Sequence, residues 1–139
     1  MRIQQLNDNI YISDQVNIID IEILSQMGIK SIINNRPDNE ADGQPSSNEL
    51  MQAARLVNID YYYLPITPDK YPVKKTEELT ILLNSTKKPT VMFCRTGNRS
   101  ANLWALAQVN KHESEYIINT TRELGFDTSG VLNNGFSSH

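Results

Sequence analysis

A chain of 139 residues, 39% of them hydrophobic, suits one domain with one core and is too short for two domains of ordinary size. A net charge of −3 at neutral pH does not favour nucleic acid or an anionic membrane, so any anion it binds needs a local positive pocket. One cysteine excludes an internal disulfide framework, and no stretch reaches the length of a membrane span. The opening Met1-Arg2-Ile3-Gln4-Gln5 lacks the apolar core and cleavage site of a secretory signal. A reduced, cytoplasmic protein is the expectation.

In chain order, Asn9 to Ser13 alternates around Ile10 and Ile12 and predicts a first strand. Asn17 to Met27 has apolar residues near helical spacing and Gly28 as its stop, although its isoleucines lose rotamer freedom in a helix. Lys30 to Asn34 is a short apolar strand, followed by a polar cluster and a loop from Asn39 to Pro45. Ser46 and Glu49 form a capping box, and Leu50, Ala53, Ala54 and Val57 behind it follow the period of an amphipathic helix. Tyr61 to Ile66 is a strand, Thr67 to Pro72 a turn, and about Lys74 to Asn84 a helix. Thr90 to Phe93 is an apolar strand, and Ala101 to Val109 a helix apolar nearly all round, which predicts burial. Glu113 to Leu124 is a last helix stopped by Gly125, and the polar tail from Asp127 is expected to fray. Strands alternating with helices predict an α/β sandwich of three layers around a mainly parallel sheet, with ligands at the carboxyl ends of its strands.

The chemistry concentrates between the last strand and the buried helix, in Cys94-Arg95-Thr96-Gly97-Asn98-Arg99-Ser100. A strand, a tight polar loop and a helix place a thiol at the mouth of a ring of N–H groups aimed by a helix N-terminus, which is a ready anion site. That field favours thiolate over thiol. Arg99 offers an oxyanion a planar fork of donors, and Ser100, expected at the helix cap, could hydrogen-bond the sulfur. A cysteine ending a buried strand is ordinarily a small inert hydrophobe. A structural cysteine, however, has no need of Gly97 and two arginines within five residues. Arg95, Thr96, Gly97 and Asn98 are therefore the expected substrate-binding loop, with Cys94 as nucleophile.

These residues, with Ile33-Asn34-Asn35-Arg36-Pro37-Asp38, Glu40, Gly43-Gln44-Pro45-Ser46, Leu103-Trp104-Ala105-Leu106-Ala107 and Gly125-Phe126-Asp127 with Ser129-Gly130, resemble the bacterial phosphatase-like domain found fused to beta-lactamase-type hydrolases. The resemblance implies the fold of cysteine-dependent dual-specificity phosphatases. It also implies their chemistry, in which Cys94 attacks phosphorus, Arg99 holds the phosphoryl oxygens and Ser100 assists the thiolate as leaving group. The loop departs from that pattern. Such phosphatases usually put five residues between cysteine and arginine, and here there are four, Arg95 to Asn98. That spacing looks like the loop of single-domain rhodaneses, sulfurtransferases that carry a persulfide on cysteine, so phosphate-ester hydrolysis and sulfur transfer both stay open.

Ester hydrolysis profits from a general acid on the leaving oxygen. In the resembled phosphatases it is an aspartate on a loop before the cysteine strand, and Asp69 is the only carboxylate in the Thr67–Pro72 turn, although Pro-Asp is also ordinary turn chemistry. Asp38 and Glu40 are the competitors. Arg36, at a strand's carboxyl end, is either a second anion contact or the partner of Asp38 or Glu40 in an ion pair. Asn34 and Asn35 read as turn ties, and Tyr61, Tyr62 and Tyr63 as core and rim. His112 and His139 lack the spacing of metal ligands, so neither metal nor cofactor is expected. The expected partner is a small anionic substrate or a phosphoprotein, with no nucleic acid and no membrane.

Overall fold

The computed structural model describes residues 1–134. Among them the sheet has five strands, β1 (Ile3–Gln5), β2 (Ile10–Ser13), β3 (Ser31–Asn34), β4 (Asp60–Tyr63) and β5 (Thr90–Phe93), in the order β1-β2-β5-β3-β4. Only β1 runs antiparallel, against β2. The other pairings are parallel, with Ile12 and Ile33 both opposite Met92. Central parallel strands are covered on both faces and read as continuous apolar runs, and β5 is buried at every position.

Side-chain alternation sends neighbours in one strand to different cores. Ile33 and Met92 pack with Leu64, Ile66, Leu79, Leu103, Trp104 and Ile117 under α3 (Val73–Ser85), α4 (Asn98–Ala107) and α5 (Ser114–Arg122). Ile32, Val91 and Phe93 pack with Leu24, Leu50 and Ala54 under α1 (Ile18–Gln26) and α2 (Ser47–Leu56). Helix, sheet and helix form the three layers expected.

The corrections to the expected elements have local causes. β1 carries no apolar alternation; only its ladder to β2 defines it, and β4 is shorter than expected, ending at Tyr63, with Leu64 donating to the Asn34 carbonyl at the end of β3 and Ile66 to the Asn35 carbonyl just past it. The isoleucines of α1 do not prevent the helix. Ile21 and Leu24 are buried and the Asp20 carboxylate receives the Asn17 N–H, which outweighs weak propensity while Ile19 faces solvent. Residues 127–134, at the start of the tail expected to fray, hold regular contacts. Asp127 accepts from the Ser129 N–H and hydroxyl, α6 (Ser129–Asn134) follows, and buried Thr128 exchanges a hydrogen bond with Thr121. No helix of the described residues is long and apolar enough to cross a membrane.

Candidate active site

Cys94 follows β5 directly, at the carboxyl end of the central strand, and is fully buried. The chain then turns within three residues. Gly97 adopts φ +97°, a conformation L side chains rarely take, and its N–H donates to Cys94 Sγ at 3.1 Å. A Cβ at Gly97 would come within 2.7 Å of Phe126 and 3.4 Å of Ile12, so a side chain here is excluded twice. Phe126 thus braces the loop from the connection between α5 and α6.

The following helix starts three residues earlier than its apolar pattern predicts, because Gly97 and not Ser100 is the N-cap. Its first intrahelical bond runs from the Ala101 N–H to the Gly97 carbonyl at 2.9 Å. The amides of Asn98, Arg99 and Ser100 therefore precede the ladder, and Asn98 gives its N–H to Thr96 Oγ1. Orphan donors at a helix N-terminus beside a sulfur suit an anion. Arg95, Thr96 and Asn98 are exposed at the mouth, whereas Arg99 and Ser100 are buried.

Ser100 does not give its hydroxyl proton to the sulfur. It donates to Asn35 Oδ1 at 2.7 Å, while Asn35 Nδ2 donates to the Leu64 carbonyl and its N–H to the Phe93 carbonyl. Asn35 is therefore more than a turn tie: it joins the ends of β3 and β5 to the first turn of α4. With no exposed surface on Asn35 or Ser100, these bonds have no water to replace them.

Arg99 is held end-on. Its Nη1 donates to Glu40 Oε2 at 2.8 Å and to the Ile66 carbonyl at 2.9 Å, and its Nη2 donates to Glu40 Oε1 at 2.8 Å. A guanidinium has five N–H donors, so among the described residues Nε–H and one Nη2–H, which share the other edge of the plane, are left over. Glu40 also receives Arg36 Nε at 2.9 Å, and Arg36 Nη1 reaches Gln15 Oε1 at 2.9 Å. Of the two roles open to Arg36, the structure shows the ion pair, and its partner is Glu40. Asp38 instead accepts the Ser47 N–H at the start of α2.

The Arg99 hydrogen bonds, and then those of Arg36, hold the Glu40 carboxyl below the usual carboxylate range against the opposing effect of burial. The same contact raises the Arg99 pKa. Glu40 is thus a carboxylate paired with two arginines, which favours its charged form. Because its folded-state pKa is depressed, its contribution to stability is complete above its ordinary value of 4.5 and is lost as pH falls through the folded-state pKa. Glu40→Gln should cost roughly 1–3 kcal/mol at neutral pH. Thermal melts between about pH 7 and about pH 3 should show the two proteins converging in acid; a constant gap would exclude this ion pair as the cause.

Asp69 is exposed in the turn before α3, at φ +63°. Two residues on, Tyr71 is buried and its hydroxyl accepts from Asn102 Nδ2 of α4 at 3.0 Å. Burial first, and then the fields of Cys94 and Asp69, raise the Tyr71 pKa against the opposing hydrogen bond and Arg99. Neither Tyr71 nor Asn102 was among the sequence candidates; an aromatic two residues after an acid has no signature of its own. Tyr61 gives structure, meeting Asn34 and Ser47, and Tyr63 accepts the Asp38 N–H. His112 packs on Tyr116, and His139 lies outside the described residues.

With this geometry in view, the likenesses to known proteins are informative. The family model for the phosphatase-like domain of beta-lactamase hydrolase-like proteins matches residues 2–111. A beta-lactamase hydrolase-like protein of Agrobacterium fabrum is 30% identical over 108 residues, covering 78% of this chain and 25% of that protein. The chain thus spans about a quarter of the length of the curated relatives it matches. Among solved structures, a candidate phosphatase of Neisseria meningitidis Z2491 superposes with a TM-score of 0.84 at 27% identity, covering 94% of this chain and 93% of that one. A kinase-associated phosphatase carrying serine for its catalytic-site cysteine shares the fold, with a TM-score of 0.64 at 20% identity over 82% of this chain and 74% of that one.

Proposed function

Because the chain belongs to the phosphatase-like domain family of beta-lactamase hydrolase-like proteins, we propose that it hydrolyses phosphate monoesters through a phosphocysteine on Cys94. The observation that carries this reading is the pairing of a Gly97 N–H on Cys94 Sγ with an Arg99 whose Nε–Nη2 edge is left for two phosphoryl oxygens. An N–H donated to sulfur steadies a charged nucleophile. An arginine held in advance by Glu40 and Ile66 spends no reorganisation on reaching the transition state.

Cys94 sulfur forms the bond to phosphorus as the ester oxygen departs with its electron pair and takes a proton from Asp69. Water then gives a proton to the Asp69 carboxylate as its oxygen attacks phosphorus, the S–P bond breaks with its electron pair returning to sulfur, and orthophosphate and the thiolate are released. The loop amides and Arg99 share the oxygens in both steps. Ser100 assists the departing sulfur only after its hydroxyl turns from Asn35. Arg95, Thr96 and Asn98 border the leaving group. Arg36 acts through Glu40. A small aryl phosphate or a phosphotyrosine-like ester on a protein is the substrate class, acted on in the cytoplasm.

Asp69 is tested by leaving group. Asp69→Asn should lower kcat on phenyl phosphate by about 10²-fold and on a nitrophenyl ester far less, since a stable phenolate needs no proton. Equal losses on both esters would remove Asp69 from the role.

The four-residue spacing supports a second reading, sulfur transfer through a persulfide on Cys94. Purified protein and Cys94→Ser are assayed on an aryl phosphate and on thiosulfate with cyanide. Phosphate release that vanishes in the variant supports the hydrolase; thiocyanate, with a one-sulfur mass gain on Cys94, replaces it with the transferase.

A further inference from the structure

A cavity of about 150 Å³ lies at the opposite end of the sheet from Cys94, where Ile10 of β2 pairs with Thr90 of β5. The ends of α3 and α4 and the turn between β1 and β2 enclose it. Its floor is Trp104, 3% exposed, and beside it is Gln108, 8% exposed. Among the described residues neither the indole N–H nor the Gln108 side-chain amide has a hydrogen-bond partner, yet no fully buried side-chain polar atom is unsatisfied. Both groups must therefore keep a sliver of open surface, and the surface they share is this cavity.

Of the other polar groups lining it, Asn9 and Asn84 each offer an amide NH₂ as well as an oxygen, and Thr80 spends its proton on the Thr76 carbonyl. Asn7 commits its Oδ1 to the N–H groups of Asn9 and Ile10, both at 2.9 Å, which leaves its NH₂. Lys88 and Lys111 bring positive charge, and the lining contains no Asp or Glu. Lys88 spends two donors on Thr86 and keeps a third. Surplus donors and two cations without a carboxylate select a ligand rich in acceptors. With a water's share of volume at about 30 Å³, the space suits a compact ion.

From this cavity we infer a second binding site, independent of Cys94, for a small oxyanion of phosphate or carboxylate type, seated on Trp104, Gln108 and Lys111. Trp104 is the chain's only tryptophan, so its fluorescence reports the site directly. Sodium phosphate and sodium succinate are titrated separately at constant ionic strength, which tells a phosphate site from a carboxylate one. The expected result is a saturable change with one or both, retained in Arg99→Lys and weakened about tenfold or more in Gln108→Leu and in Lys111→Glu. Lys111 is exposed, so that variant tests the site without disturbing the core. A response matched by sodium chloride, absent with both anions, or lost in Arg99→Lys and retained in Lys111→Glu overturns the assignment.

Discussion

Cys94→Ser should reduce aryl-phosphate turnover by on the order of 10⁴-fold or more while leaving the fold and anion binding in place. Serine is nearly the same shape, and Cys94 lies fully buried with, among the described residues, the Gly97 N–H alone on its sulfur, so the exchange removes the nucleophile and little else. A change in stability within about 1 kcal/mol is expected, to be read from a denaturant melt beside the kinetics. Burst kinetics with a nitrophenyl ester supply the independent check, since a phosphocysteine formed faster than it is hydrolysed releases phenolate ahead of phosphate. Turnover that survives in the variant would mean that water attacks phosphorus without a covalent step. The variant that loses turnover but binds product also separates chemistry from binding, which a misfolded protein could not do.

Arg99→Lys should cost about 10²–10³-fold in kcat/KM, although charge is conserved. The guanidinium does three jobs in one plane: a two-pronged bond to Glu40, a bond to the Ile66 carbonyl, and an edge left for the phosphoryl oxygens. An ammonium has three donors at a single point and cannot reproduce the separation between those partners. The loss should fall on kcat as well as KM, because the transition state carries more charge on its equatorial oxygens than the ground state. A variant that loses KM alone would make Arg99 a binding residue only. Stability should fall with activity, since the two-pronged Arg99 bond would be lost and Arg36 meets Glu40 through its Nε alone.

The amino-acid order alone marked Cys94, Arg99 and the loop between them. A single thiol, a glycine and two arginines in six residues, set between an apolar strand and an apolar helix, form a local pattern readable from propensity and spacing. The same local reasoning predicted the three layers and found the Ser46 capping box, which the structure bears out at 3.1 Å from the Glu49 N–H. Both features depend on neighbours within a few residues.

The tertiary structure decided what each polar group is bonded to. Glu40 and Arg99 are 59 positions apart and Asn35 and Ser100 are 65 apart, and only the adjacency of β3 and β5 brings them together. That adjacency made Glu40 the brace of the arginine, and sent the Ser100 proton away from the sulfur. Phe126, just before the tail that was expected to fray, meets Gly97 by the same kind of long return. The physical reason is one of range. Helix periods, caps and turns are set by contacts a few residues apart, whereas ion pairs and buried amide bonds form wherever folding has removed water and a complementary group is within about 3 Å.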